Sequence, residues 1–377
     1  MLKALFNITH KVYRYDFNAD QRLTTNPKPL ISLLMNNKNR YLKKNLYKTK
    51  FNRSIQLNET LLSVEKNNKT WCVLDAEMFS QKKATIYNIP LLIKINGASI
   101  EIEKTHLVAK ARLNRTNLEH LTKSSSKEHS FIQIINGIKL PELIITKNVG
   151  STHSSFIIMP KLPGISLLTY LNENKIKFQQ RINIIVLCLQ QLKRIHALNY
   201  IHGDLKLGNF LYDKESNSIA LIDFEGVQKI GETMQGGTIT WEYATPEYLD
   251  FRINNNKQII SASFDVYCLA PLLGKILDLK LADILGERKH LAQKLLKLKY
   301  TKRSQISDKK RAEMRKDLML QLNKTNIDFS GILNSKVIPE EYRQFTHELL
   351  NKMISPDPKN RPDIDQLLKF FAQFIAT

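Results

Sequence analysis

The alternation of apolar and polar residues predicts a strand-rich region between about residues 84 and 160. Apolar runs at 91–95, 100–102 and 107–110 are separated by polar turns, a pattern typical of short β-strands. Two further strand-like runs follow at 143–146 and 156–159.

Helical periodicity dominates the rest of the chain. Glu128 stands three, four and seven residues before Phe131, Ile132 and Ile135, so the four share one face of a predicted helix that ends near Gly137. Three later apolar stripes predict further packed helices: Ile185, Cys188, Leu192 and Ile195; Met314, Leu318 and Leu322; Tyr342, Phe345, Leu349 and Met353.

Residues 1–80 are expected to form a basic N-terminal extension of unknown role. A short helix is predicted at 29–35, followed by basic residues interleaved with Tyr41, Tyr47 and Phe51. Such aromatic residues can stack on nucleic-acid bases, or they can form the apolar face of a helix packed on the next domain.

Composition favours a soluble protein of a reducing compartment, and we expect a cytoplasmic location. Of the 377 residues, 42% are hydrophobic, enough for a substantial core. The three cysteines, Cys72, Cys188 and Cys268, are widely separated and odd in number, which argues against a disulfide scaffold and a zinc site. No apolar run is long enough for a membrane span.

The net charge of +22 is concentrated in two segments. Residues 36–53 carry seven Lys or Arg and no acid, and residues 287–316 carry twelve basic residues against three acidic ones. These segments could bind a polyanion such as nucleic acid or anionic lipid, or they could be an ordinary solvated surface.

The most informative stretch begins at His202-Gly203-Asp204-Leu205-Lys206-Leu207-Gly208-Asn209. Fourteen residues after Asn209 comes Asp223, followed by Phe224, with a predicted strand hairpin between them. The hairpin would place Asp204, Asn209 and Asp223 on two neighbouring loops. Such oxygen ligands suit a divalent metal held against phosphate oxygens, with one free carboxylate facing a hydroxyl. The alternative is a polar loop whose Asp and Asn satisfy turn backbones, but this does not explain the full spacing.

This stretch resembles the catalytic and metal-binding loops of the protein-kinase superfamily, H-R-D-L-K-x-x-N followed by D-F-G. The resemblance implies an α+β, two-lobed fold, with a small β-rich N-lobe over about 81–159. The larger, mainly helical C-lobe would cover about 160–377 and include a basic insert at 287–316. His-Gly-Asp in place of His-Arg-Asp, and the glutamate-to-proline spacing, are similar to the casein-kinase-one and vaccinia-related groups.

The resemblance also implies roles for residues in the C-lobe. Asp204 would accept the proton of a substrate hydroxyl, and Lys206 would steady the γ-phosphate of ATP. Asn209 and Asp223 would hold Mg²⁺ or Mn²⁺, and the substrate would be a protein serine or threonine. Thr238 or Thr240 would brace Lys206.

In the N-lobe, Lys110 resembles the strand lysine that anchors the α- and β-phosphates, and Glu128 the helix glutamate that tethers it. Lys110 could instead be a surface lysine of an edge strand, and Glu128 could simply favour the helix dipole. Val108 and Leu211 would sandwich the adenine, and the strand ending at Met159 would lead into the hinge that meets it.

Gly97 is the single glycine where the family has a glycine-rich phosphate loop.

Two later motifs bear on the choice within the superfamily. Residues 237–247 resemble the closure of the activation segment, with Thr245 in place of Ala, and Arg361 would pair with Glu247. Choline- and aminoglycoside-type kinases share His-Gly-Asp but lack this closure, so a serine/threonine protein kinase is favoured. A pseudokinase that binds partners remains the non-enzyme alternative, because Gly203 and Glu225 depart from the family pattern.

Overall fold

The computed structural model describes residues 12–15, 33–36, 41–42, 45–48, 54–57, 60–64, 69–74, 77–80, 84–97, 99–147, 151–237, 239–301 and 305–374. The chain divides into two compact units, Met1–Lys161 and Leu162–Thr377. Sequence reasoning had placed the boundary between lobes at about 159/160. None of the described helices is long and apolar enough to cross a membrane.

The first unit is built mainly from strands. Its elements are β1 (Val12–Tyr15), β2 (Tyr41–Leu42), β3 (Asn45–Lys48), β4 (Ser54–Leu57), β5 (Thr60–Ser63), β6 (Thr70–Leu74), β7 (Glu77–Ser80), β8 (Thr85–Asn96), β9 (Ser99–Arg115), α1 (Leu118–Asn136), β10 (Ile144–Lys147) and β11 (His153–Pro160). The predicted helix at 29–35 is helical at 33–35, and its earlier residues lie outside the described ones.

A single large sheet organises this unit, with strand order β10-β11-β9-β8-β6-β5-β2 and β7 paired to β8. The three predicted runs at 91–95, 100–102 and 107–110 form one long antiparallel hairpin, β8–β9. Strands β5 and β6 belong to the predicted extension 1–80, yet they pair into this same sheet. The sheet therefore begins upstream of the predicted N-lobe.

The two faces of the sheet form separate apolar clusters. Trp71 packs with Leu34 and Ile93 on one face, whereas the adjacent Cys72 packs with Ala109 and Phe156 on the other. Successive strand residues point to opposite faces, so the continuous apolar run of β6 serves both clusters.

The second unit is mainly helical. Its elements are β12 (Ile165–Ser166), α2 (Leu167–Glu173), α3 (Phe178–Ala197), β13 (Tyr200–Ile201), β14 (Phe210–Asp213), β15 (Ser218–Leu221), β16 (Gln228–Lys229), α4 (Pro246–Asn254), α5 (Ser263–Ile276), α6 (Leu281–Leu285), α7 (Glu287–Tyr300), α8 (Asp308–Lys324), α9 (Glu340–Met353) and α10 (Ile364–Ala372). Short 3₁₀ turns occur at 207–209, 224–226, 241–243, 330–332 and 358–360.

Helix α5 is the centre of this unit, since nearly every one of its residues is buried. The predicted stripe of α3 is buried as expected.

The apolar stripes predicted at 314–322 and 342–353 lie on helices α8 and α9, but one residue of each stripe is largely exposed. Met314 is 43% exposed and Phe345 is 62% exposed. The buried face of α9 is instead formed by Thr346, Leu350 and Met353, which are spaced four and three residues apart. Phe345 therefore falls beside the packed face rather than on it.

Candidate active site

The site residues of the first unit centre on Glu128, a buried carboxylate of α1. Lys110 of β9 reaches it, with Nζ 2.6 Å from Oε1, and Lys110 is itself buried. The alternative reading of Lys110 as a surface lysine is therefore wrong. Glu128 shares its buried face with Phe131 and Ile132, as the helical spacing predicts.

Sequence reasoning missed a second cation at this carboxylate. Arg112, two residues beyond Lys110 on the same face of β9, places NH2 2.7 Å from Glu128 Oε2. Its NH1 also donates to Ser125 Oγ at 2.8 Å, and Ser125 Oγ lies 2.8 Å from Ser155 Oγ on β11. The alternation of strand side chains was the signal available, because an arginine at i+2 from a buried lysine points the same way.

Of the other residues of this unit predicted to bind the nucleotide, two lie near Lys110 and one does not. Val108 lies on the same face of β9 as Lys110, and Met159 of β11 is its register partner. Gly97 lies elsewhere. It turns β8 into β9 with φ +61°, whereas Lys110 pairs with Ile86 near the opposite end of the same hairpin.

In the second unit, the loop of residues 202–209, which resembles a kinase catalytic loop and is called the catalytic-type loop here, is held by a buried aspartate of α5. Asp265 Oδ2 accepts the backbone N–H of His202 at 2.7 Å, and Oδ1 accepts that of Gly203 at 3.0 Å. His196 of α3 also contacts Oδ2, at 3.0 Å. A carboxylate buried this deeply is stabilised by several donors, so Asp265 fixes the start of the loop.

His202 acts as a structural residue of this loop. Its Nε2 lies 3.0 Å from the carbonyl oxygen of Ile222, and its Nδ1 accepts the backbone N–H of Asp204 at 3.3 Å. Its ring centroid lies 5.6 Å from that of Phe224. These contacts tie the loop of Asp204 to that of Asp223, and they occupy both ring nitrogens.

Asp204 is buried, with 3% of its side chain exposed, and its carboxylate has two partners. Oδ1 accepts the hydroxyl of Thr240 at 2.8 Å, and Oδ2 lies 3.2 Å from Lys206 Nζ. Thr240, predicted as one of two residues that would brace Lys206, thus contacts Asp204, and the other, Thr238, lies outside the described residues.

Asp223 meets the same ammonium group, since its Oδ2 lies 3.7 Å from Lys206 Nζ. Its backbone adopts the left-handed region with φ +67°, which is uncommon for a residue with a side chain and is found at functional sites. The structure therefore brings Asp204, Lys206 and Asp223 together.

Asn209 completes the group and fits a metal-ligand role. Its Nδ2 donates to the carbonyl oxygen of Asp204 at 3.0 Å, which orients the amide and leaves Oδ1 as an oxygen ligand. Within the described residues, no cluster of three His, Cys, Asp or Glu side chains could hold a metal alone. Asn209 and Asp223 suit Mg²⁺, which takes few protein ligands and completes its shell with phosphates and water.

The closure of the activation segment forms the predicted ion pair. Arg361 NH1 and NH2 lie 2.7 and 2.8 Å from the two carboxylate oxygens of Glu247, a bidentate geometry that is stronger than a single contact. Thr245, which departs from the family pattern, accepts the backbone N–H of Tyr248 at 3.1 Å. It is therefore the N-cap of α4.

The basic segment 287–316 includes a buried arginine that sequence reasoning missed. Arg288 of α7 is 2% exposed. It donates to the carbonyl oxygens of Glu242, Ala244, Leu322 and Thr325 at 2.6–3.2 Å. This charge is part of the core and is not available to a polyanion. The side chains of the other basic segment, 37–53, lie outside the described residues, so polyanion binding stays a prediction.

Burial changes the acidity of groups beside Thr240. Burial raises the pKa of Glu242, the charge of Asp204 raises it further, and Lys289 opposes both. The pKa of Tyr243 is also raised, chiefly by burial and then by Glu242. Both shifts follow from the burial of the segment that directly follows Thr240, the partner of Asp204.

Comparison with known proteins identifies one family. The profile of the family described as protein kinase domain matches residues 98–371. A probable serine/threonine-protein kinase of Encephalitozoon cuniculi is 25% identical over 187 residues, which cover 49% of this chain and 36% of that protein. Mitogen-activated protein kinase 12 of Danio rerio is 24% identical over 230 residues, covering 59% of this chain and 58% of that protein.

The chain thus spans less than two thirds of the length of these curated relatives. Among solved structures, the kinase of Cydia pomonella granulovirus aligns over 80% of this chain and 93% of that chain. Its sequence identity is 17% and its TM-score 0.48, too low a likeness to support any further conclusion.

Proposed function

The chain belongs to the protein kinase family, and from that premise we propose that it is an active serine/threonine protein kinase that transfers the γ-phosphate of ATP to a protein hydroxyl. The observation that supports this best is the meeting of Asp204, Lys206 and Asp223, because Lys206 Nζ lies within 3.7 Å of both carboxylates. We take this arrangement of ionisable groups to favour an active kinase over a pseudokinase.

Asp204 would accept the proton of the substrate hydroxyl. Its Oδ1 is held by Thr240 and its Oδ2 faces Lys206, so the carboxylate has a fixed orientation before a substrate arrives. Fixed orientation is what phosphoryl transfer requires of a protein, since positioning and charge neutralisation provide most of the catalysis.

Lys206 would move from the two carboxylates to the transferred phosphate. It is 29% exposed, more than either Lys110 or Asp204, and it therefore keeps room to move. A lysine at position 206 favours a serine/threonine substrate, as the resemblance implies.

Asn209 and Asp223 would hold Mg²⁺, which neutralises charge on the phosphates when it is bound. In the first unit, Lys110 would contact the α- and β-phosphates, while Glu128 keeps the lysine in position. Val108, Met159 and Leu211 are proposed to contact the adenine. Leu211 is half-buried on β14, opposite Ser166 of β12.

The test is a phosphorylation assay with labelled ATP, Mg²⁺ and generic protein substrates. Asp204→Asn is nearly isosteric and should lower the rate by about 10²–10⁴-fold, the usual worth of a general base. Asp283→Asn, at an exposed position in the first turn of α6, is the matched control and should keep the wild-type rate. Equal rates for Asp204→Asn and wild type would remove Asp204 from the mechanism, and no transfer by the wild type would favour the pseudokinase.

A further inference from the structure

Two arginines from different helices lie against the ring of Trp241. The Cζ atom of Arg252, on α4, is 6.0 Å from the ring centroid, and that of Arg315, on α8, is 5.6 Å from it. Arg252 also donates to the hydroxyl of Tyr248 at 3.1 Å. The indole and phenol rings provide favourable cation–π contacts for guanidinium groups, so both charges are held in place.

These two charges have no acidic partner among the described residues, because neither arginine takes part in an ion pair there. Both side chains are only partly exposed. The pKa of Arg315 is lowered, first by burial and then by the charge of Arg252. Two like charges that are held near each other and partly removed from water favour the binding of an anion.

The pair is linked to the Asp204 carboxylate through two consecutive residues, Thr240 and Trp241. Trp241 directly follows Thr240, whose hydroxyl donates to Asp204 at 2.8 Å, and consecutive Cα atoms are about 3.8 Å apart. Arg252 approaches the segment before Thr240 as well, because a Cβ added to Gly236 would stand 3.3 Å from its NH1. An extended peptide advances about 3.3 Å per residue, which sets the scale on which a substrate side chain near the hydroxyl would meet the arginines.

We propose that Arg252 and Arg315 form an anion subsite that selects protein substrates with a carboxylate or phosphorylated side chain within about three residues of the phosphoacceptor. This rests on the proposed kinase function. A guanidinium group suits the task, because it can bind carboxylate and phosphate through two parallel hydrogen bonds.

The kinetic test compares three sets of serine peptides that differ only near the acceptor: neutral, glutamate-containing and phosphoserine-containing. Wild type should prefer one or both anionic sets by about 10- to 100-fold in kcat/KM, the worth of a charge-assisted hydrogen bond. Which anionic set is favoured distinguishes the carboxylate from the phosphate. In Arg252→Gln/Arg315→Gln this preference should vanish, while the rate on the neutral peptide stays within about twofold.

The matched control is Lys257→Gln/Lys316→Gln, which removes the same net charge from exposed positions three residues beyond α4 and on α8. It should keep the preference, so attraction by the basic surface alone is separated from the subsite. Where the Gln variant fails to fold, Arg252→Lys/Arg315→Lys replaces it. That variant keeps the charge but loses bidentate binding, and should lose most of the phosphoserine preference.

A binding arm does not depend on catalysis. The chain has two tryptophans; Trp71 is fully buried in the first unit, so a change in fluorescence on adding the phosphoserine peptide reports on Trp241. The change should follow saturation binding in wild type and be absent in the Arg252→Gln/Arg315→Gln variant. If the wild type is inactive but still binds the peptide, the proposed kinase function is rejected and the subsite is retained.

Four results would overturn the subsite. The anionic preference could be absent from wild type or survive in the arginine variant. The arginine variant could lose activity equally on neutral and anionic peptides, which would assign the pair to supporting Trp241. Finally, phosphatase treatment of the enzyme could lower its rate on the neutral peptide, which would make a phosphate of the chain itself the occupant.

Discussion

At the residue scale, Gly203 explains the departure from the His-Arg-Asp pattern. Its φ is +78°, and a Cβ at this position would stand 2.2 Å from the carbonyl oxygen of Gly226. The two loops that carry Asp204 and Asp223 therefore approach each other backbone to backbone at a pair of glycines. A side chain at 203 would push these loops apart, because no rotation of the side chain moves Cβ.

Gly203→Ala should accordingly destabilise the protein by at least about 1–3 kcal/mol, the range for strained backbone positions. Chemical denaturation measures the change in the free energy of unfolding. Gly208→Ala is the control within the same loop, since its added Cβ would contact nothing within 4 Å and its φ is not positive. Equal stability of the two variants would contradict the close approach of the loops.

The buried ion pairs of Glu128 give a second prediction at this scale. Glu128→Gln removes the anion of both pairs, with Lys110 and with Arg112, whereas Arg112→Met removes one cation and leaves the Lys110 pair intact. Breaking a buried pair by removing one partner costs about 3–5 kcal/mol. The free energy of unfolding should therefore fall more in Glu128→Gln than in Arg112→Met, and the reverse order would show that Arg112 is the main anchor of α1.

At the element scale, the basic segment 287–316 turns out to support the activation-segment closure. Arg288 of α7 joins the carbonyl oxygens of Glu242 and Ala244 to those at the end of α8. Because an arginine has five N–H donors, one buried side chain hydrogen-bonds carbonyl groups of both the closure and the end of α8. The charge count of the segment had suggested a surface for partners.

Arg288→Met should expose this dependence. It leaves buried carbonyls unsatisfied, at a cost of about 1–3 kcal/mol for each such group. Hydrogen exchange should speed up at residues 242–245, and the phosphorylation rate should fall with it. Lys294→Met, exposed on the same helix, should leave both unchanged. Unaltered exchange in Arg288→Met would mean that the closure holds its position without α7.

At the scale of the whole molecule, nucleotide binding should stabilise the fold in a metal-dependent manner. The hairpin turn at Gly97 lies away from Lys110, so the described part of the first unit offers Lys110 as the main charged contact for phosphates. In the second unit, Asn209 and Asp223 are suited to hold the metal. Binding that relies on these few groups should fail when either the lysine or the metal is lost.

Thermal unfolding with ATP measures this directly. A ligand at about 100 times its dissociation constant stabilises the native state by about 2.7 kcal/mol, so the melting temperature should rise with ATP and Mg²⁺ together. Lys110→Met and Asp223→Ala should each abolish the rise, and Lys147→Met, exposed on β10, should keep it. A rise with ATP that is independent of metal would contradict the roles of Asn209 and Asp223.

Local sequence patterns were sufficient to predict those elements whose structure follows from the periodicity of their side chains. The helix with Glu128, Phe131 and Ile132 on one face, and the long hairpin of β8 and β9, follow from side-chain periodicity. The spacing from His202 to Asp223 likewise indicated the family and predicted the chemistry of its loops.

Only the tertiary structure decided which residues meet across long separations. It selected Thr240 as the partner of Asp204, gave Glu128 a second cation in Arg112, and buried Arg288 among backbone carbonyls. It also placed Gly97 in a hairpin turn away from Lys110. These outcomes depend on the register of strands and the packing of helices far apart in sequence, which periodicity along one element cannot specify. The sequence by itself therefore indicated the family and predicted the reacting groups, and the packing determined how those residues are oriented and held.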